Sequence, residues 1–139
     1  MSRTQPANRH SRTREDHSTE TVEDYVEAVA EFIATDGVCR GVDLARYFGV
    51  SNVTVNRTIS RLQRDGFVET EPYAPIRLTS RGRKLAAKCH ARHVIVREFL
   101  LALGADQQTA EADAEGIEHH VSPQTLQLMQ TYTSEQRSG

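Results

Sequence analysis

Residues Gly41–Val68 read GVDLARYFGVSNVTVNRTISRLQRDGFV, and the punctuation of this stretch decides the fold. Leu44, Ala45 and Phe48 mark the apolar side of a short helix, and Gly49 breaks it. Ser51 is placed to cap a second helix by accepting from the backbone N–H groups of its first turn. In that helix Val55, Ile59 and Leu62 recur at the spacing of one buried stripe. Asp65-Gly66 closes it, and "FVETEPYAPIRLTS" follows. There Phe67-Val68 and Ile76-Arg77-Leu78 are expected to form two short strands around a Pro72/Pro75 turn. Helix, short turn, helix and hairpin outline a winged helix-turn-helix, whose second helix enters the DNA major groove.

The outward face of that second helix suits this use. With Val55, Ile59 and Leu62 turned inward, Ser51, Asn52, Thr54, Asn56, Arg57, Ser60, Arg61 and Arg64 face out. The early part is short and polar, suited to base edges; the later part is arginine, suited to phosphates. Arg77 on the second strand, and Arg81, Arg83 and Lys84 after it, extend the basic surface. From Arg40 to Lys88 there are ten basic and four acidic side chains, a balance of +6 within a chain of formal net charge −2. The flanks are acidic: Glu20–Asp36 carries acids alone, and His93–Gly139 is dominated by them. A basic middle points to a polyanion, and acidic flanks to a cation.

Upstream, "STETVEDYVEAVAEFIATDG" reads as a helix capped by Ser18 or Thr19 and ended by Gly37. Val22, Val26, Val29 and Ile33 form its apolar stripe, widened by Tyr25 and Phe32, and Asp24 and Glu27 share another face. Residues 1–18 carry almost no large apolar side chains and are expected to be a disordered tail. Downstream, Thr79 or Ser80 caps a long helix running to Leu103. A helix from Asp106 to His120 and another from Ser122-Pro123 complete the chain. The expected class is mainly α with a small β-wing: a winged helix-turn-helix over 19–79, then a helical domain over 80–139.

No apolar run approaches the ~20 residues a membrane span needs. The polar N-terminus lacks a signal-peptide core. Cys39 and Cys89 pair by no recognisable pattern and read as reduced thiols, so a cytoplasmic location with no membrane partner is expected.

The cation reading rests on "DAEGIEHHVS", Asp113–Ser122. At roughly 100° per residue, Glu115, Glu118 and His119 share a helix face while Asp113 and His120 point elsewhere. Carboxylate oxygens with imidazole suit Mn²⁺, Fe²⁺ or Zn²⁺. Asp24, Glu27 and His93 are candidates to complete the set.

The segments "VEDYVEAV", "RHVIVREFLLALG" and "DAEGIEHHVS" together resemble the diphtheria toxin repressor family of metal-dependent transcription regulators, over Thr21–Val121. The resemblance implies a two-metal site with Asp24, Glu27, His93, Glu115, Glu118 and His119 as ligands, Glu27 and Glu118 bridging. Asp24 matches manganese-type members, where iron-type members carry methionine, which implies Mn²⁺ as cofactor. It further implies a homodimer that binds operator DNA when loaded and represses manganese uptake genes. Leu85, Ile95, Phe99, Leu100 and Leu103 are candidates for the seam between two chains. An iron- or zinc-responsive repressor is the alternative. A di-metal carboxylate enzyme in a four-helix bundle would show Glu-x-x-His motifs, and neither Glu27, Glu115 nor Glu118 starts one.

Overall fold

The computed structural model describes the backbone of residues 6–139 and the side chains of residues 18–139. Six helices and one two-stranded sheet follow in the order α1 (Pro6–Asp36), α2 (Gly41–Phe48), α3 (Asn52–Arg64), β1 (Val68–Glu69), β2 (Arg77–Leu78), α4 (Ser80–Leu103), α5 (Gln107–Ile117) and α6 (Pro123–Ser138). The expected disordered tail lies outside the described side chains except for Ser18. Ser18 and Thr19 stand within α1 rather than capping its start. Hydroxyl residues favour caps but are tolerated inside a helix whose apolar stripe is packed elsewhere along its length.

The chain divides into two compact units, residues 1–86 and 87–139, with α4 contributing to both. In the first, Tyr25, Val26, Ala28 and Val29 of α1 pack with Leu44 of α2, Val55, Ile59 and Leu62 of α3, and Val68, Ile76 and Leu78 of the hairpin. Tyr25 stacks on Phe48 with ring centroids 4.4 Å apart. Gly49 ends α2 in the left-handed region at φ 66°, a conformation that costs glycine little. Ser51 caps α3 by accepting from Thr54 N at 3.1 Å. β1 and β2 pair antiparallel, Val68 opposite Leu78 and Glu69 opposite Arg77. β1 starts one residue after the expected Phe67, whose N–H bonds back to Leu62 O of α3, and runs on to Glu69; β2 starts one residue after the expected Ile76, whose N–H bonds to Cys39 O.

Thr79 links the hairpin to α4. Its hydroxyl donates to Gly66 O at 2.6 Å and accepts from Gly82 N at 3.1 Å. Leu85, a candidate for the seam between chains, is half-buried against the core of the first unit. Leu103 is exposed, while Phe99 meets Tyr132 of α6 edge-on at 5.5 Å.

In the second unit α5 is capped by Asp106, which accepts from Thr109 N at 2.8 Å. The expectation of a helix to His120 is corrected: α5 ends at Ile117, and Glu118–His120 form a turn. Glu118 N still bonds to Ala114 O, but His120 N bonds three residues back to Ile117 O. Gly116 and β-branched Ile117 are weak helix formers, and the turn tightens in front of Ser122-Pro123, which starts α6.

Candidate metal centre and nucleic-acid interface

α4 and α5 build a cluster around His93. The imidazole is buried, 7% exposed. Its Nδ1 lies 2.8 Å from Glu118 Oε2 and 3.5 Å from Glu115 Oε1, and its Nε2 lies 2.9 Å from Glu111 Oε2. Glu111, Glu115 and Glu118 recur at i, i+4 and i+7, so the inner face of α5 and its C-cap present three carboxylates to one ring. His119 Nε2 stands 3.5 Å from the other Glu118 oxygen. Asp113 and His120 are exposed, and the His120 ring meets that of His119 edge-on with centroids 6.4 Å apart.

Arginines frame the cluster. Arg97, one turn beyond His93, donates to Glu111 Oε1 at 3.0 Å and to Glu98 Oε1 at 3.4 Å. The hydrogen bond from His93, then that from Arg97, holds the Glu111 carboxyl below its usual range. The bond to Glu111 raises Arg97 in turn. Arg92 donates to Cys89 Sγ at 3.3 Å; burial lowers its pKa while nearby Glu118 opposes the fall. Arg137 of α6 pairs with Glu98.

Ligand atoms of His93, Glu115 and Glu118 lie within 4.8 Å of one another. Two carboxylate oxygens and one imidazole nitrogen converging on a partly buried point fit a divalent first-row ion. Repulsion between carboxylates drawn this close is relieved by a cation. Among the sequence candidates, His93, Glu115, Glu118 and His119 therefore belong to one cluster of the second unit. Asp24 and Glu27 are half-buried on α1 in the first. Glu111 and Arg97 escape notice in the sequence because single acids and bases on helices are usually solvated. The signal available was their spacing, Glu111 four residues before Glu115 and Arg97 four after His93.

On the first unit Ser51, Asn52, Thr54, Asn56, Arg57, Ser60 and Arg64 are exposed on α3, as is Arg77 on β2. Arg61 is half-buried, because it sits at the margin of the Val55–Ile59–Leu62 stripe. Ser51 and Thr54 are joined to each other at 3.0 Å by their hydroxyls, so part of their hydrogen-bonding capacity is spent on the cap. Val53 is 59% exposed beside Asn52, an apolar side chain on the otherwise polar start of α3. An open cleft lined by Arg40, Asn56, Ser60, Gln63, Thr70 and Tyr73 separates α3 from the hairpin loop.

Two of the basic side chains after the hairpin also make internal hydrogen bonds. Arg81 lies over the Phe67 ring at 4.2 Å and donates to Asp65 O at 2.5 Å. Arg83 donates to Leu78 O at 2.9 Å. Both spend donors on fixing the hairpin to α4. Arg77 is exposed, with its guanidinium 3.9 Å from Glu69 Oε2.

Comparison with known proteins agrees with both halves. Residues 17–76 match the N-terminal DNA-binding domain of iron-dependent repressors, and residues 79–137 match their metal-binding and dimerisation domain. The transcriptional regulator MntR of Escherichia coli O157:H7 is 43% identical over 120 residues, covering 86% of this chain and 77% of that protein. The chain belongs to the MntR branch of the diphtheria toxin repressor family. Its relatives in the family include MntR of Bacillus subtilis strain 168, 33% identical over 76% of this chain and 74% of that one. A solved structure of a manganese-dependent transcriptional repressor in complex with manganese superposes with TM-score 0.73 at 25% identity. This chain covers 52% of that one, so it spans about half the length of the solved relative. The family consists of transcription regulators, and the enzyme reading is thereby excluded. Among the described residues no helix is long and apolar enough to cross a membrane.

Proposed function

We propose that the chain is a manganese-dependent repressor that binds operator DNA as a metal-loaded homodimer, acts in the cytoplasm and silences manganese uptake genes. The observation that carries the metal half is the convergence of His93, Glu115 and Glu118 on one point. Asp24 and Glu27, with His119, complete the ligand set on the strength of the family relationship, for two ions per subunit. Mn²⁺ is the weakest binder of the first-row series, so a site that selects it depends on hard oxygen donors and geometry. Four carboxylates with two imidazoles, and no thiolate, suit that need.

The functional division follows the sequence: residues 1–18 a tail, 19–79 the reader of DNA, 80–139 the metal-binding and dimerisation part. A bound ion supplies charge that offsets the carboxylates. The chain's own residues do the rest: α3 presents Asn52, Asn56 and Ser60 to base edges and Arg57 and Arg64 to phosphates, and Arg77 reaches the backbone from the hairpin. An iron-responsive regulator using the same residues is the second reading, favoured by the iron-dependent repressor domains the chain matches.

The test is metal content and selectivity in three variants measured side by side with the parent protein. Glu118→Ala is expected to abolish stoichiometric Mn²⁺ binding, since it removes the buried carboxylate whose two oxygens stand beside His93 and His119. Asp24→Met is expected to shift the response toward Fe²⁺, because a thioether favours softer ions. His120→Ala should bind as the parent does. Loss of metal in His120→Ala with retention in Glu118→Ala would overturn the ligand assignment.

A further inference from the structure

His93 stands between two acidic environments that differ in charge balance. At Nδ1 are Glu118 at 2.8 Å and Glu115 at 3.5 Å, the pair that converges with it as a candidate cation site. At Nε2 is Glu111 alone, 2.9 Å away, and its second oxygen is already held by Arg97 at 3.0 Å. A neutral imidazole donates from one nitrogen and offers a lone pair at the other. The nitrogen that meets a cation is therefore chosen by which carboxylate accepts the N–H of the other. Glu111, offset by a guanidinium, presents little net charge to attract a cation but remains a good acceptor.

We propose that Glu111, clamped by Arg97, is a positioning residue: it accepts the Nε2–H of His93 and so turns the Nδ1 lone pair toward a cation held with Glu115 and Glu118. This rests on the reading of His93 as a metal ligand. Outer carboxylates of this kind fix the tautomer and ring orientation of ligating histidines, and their removal typically costs ~10–100-fold in metal affinity. The sequence supports the clamp, because His93 and Arg97 are one turn apart on α4 and Glu111 and Glu115 one turn apart on α5.

The experiment uses the full chain loaded with Zn²⁺ as a diamagnetic probe, with nitrogen-15 NMR of the histidine side chains, alongside Mn²⁺ affinity and stoichiometry. The parent is expected to show a hydrogen-bonded Nε2–H on His93, assigned by its loss in His93→Gln. Glu111→Ala should lose that signal and bind Mn²⁺ about 10–100-fold more weakly, while reaching the parent's stoichiometry at saturation. Glu111→Gln, whose amide oxygen still accepts from Nε2–H, should restore the signal and most of the affinity. Arg97→Met, which releases the clamp without touching His93, should weaken binding less than Glu111→Ala, and it remains informative if Glu111→Ala fails to fold. The proposal is overturned if His93 carries its proton on Nδ1, if neither Glu111→Ala nor Arg97→Met changes affinity, or if Glu111→Ala loses a whole equivalent of metal, which would make Glu111 a ligand. Undiminished Mn²⁺ binding by His93→Gln would instead sink the ligand reading itself.

Discussion

Cys39 illustrates how burial sets the chemistry of a single side chain. It is fully buried ahead of α2, and its carbonyl accepts from Ile76 N at 2.7 Å. Burial first, and then the charge of Asp43, push its thiol up to about 12. An unfolded thiol ionises near ~8.5. The fold therefore retains a proton that the unfolded chain gives up, so its contribution to stability is complete below about 8.5 and fades as pH rises toward 12. Cys39 is expected to react with a thiol reagent at neutral pH only after denaturant is added. Rapid labelling of native Cys39, read by mass spectrometry, would contradict the burial. That both thiols are free was legible from the chain, since no pattern pairs the two cysteines. The role of Glu111 was not, because it is defined by a partner 18 residues away on another helix.

Elements were readable where periodicity and punctuation agreed. Ser51, Gly49 and the Val55–Ile59–Leu62 stripe determine α2 and α3 by local chemistry, and the observed caps follow from it. The end of α5 was not readable to the residue, since the side-chain period continues through Glu118 and His119 while the backbone tightens. Gly82 has an element-scale meaning that composition hides. A Cβ there would overlap the carbonyl oxygen of Phe67 and press on Leu78 Cδ2 at 3.1 Å. Gly82→Ala is expected to cost about 1–3 kcal/mol, the usual penalty of overpacking. Chemical denaturation measures it, and an unchanged midpoint would show that α4 and the hairpin can part freely. Within α3 the expected division of labour is equally direct. Arg57→Ala should weaken DNA binding for all sequences and lower the salt slope by about 1, whereas Asn56→Ala should change which bases are preferred. Competition binding with a panel of duplexes separates the two outcomes, and a sequence-specific loss from Arg57→Ala would reverse the assignment.

At the scale of the whole molecule, the charge segregation gives the division of work: a basic DNA-binding domain and an acidic cluster that takes cations. That division was legible because each function needs many like charges, and summed charge survives uncertainty about any one side chain. The central claim is that metal occupancy controls DNA binding. It is tested most directly by selecting from a pool of random duplexes with the full-length chain, at fixed ionic strength, in Mn²⁺, in Mg²⁺ and in chelator. With Mn²⁺ the retained pool should converge on a palindrome whose half-sites lie about one turn of DNA, ~34 Å, apart. Chelator and Mg²⁺ should leave only weak, salt-sensitive and sequence-indifferent retention. Convergence on the same palindrome with equal affinity in chelator would contradict the account.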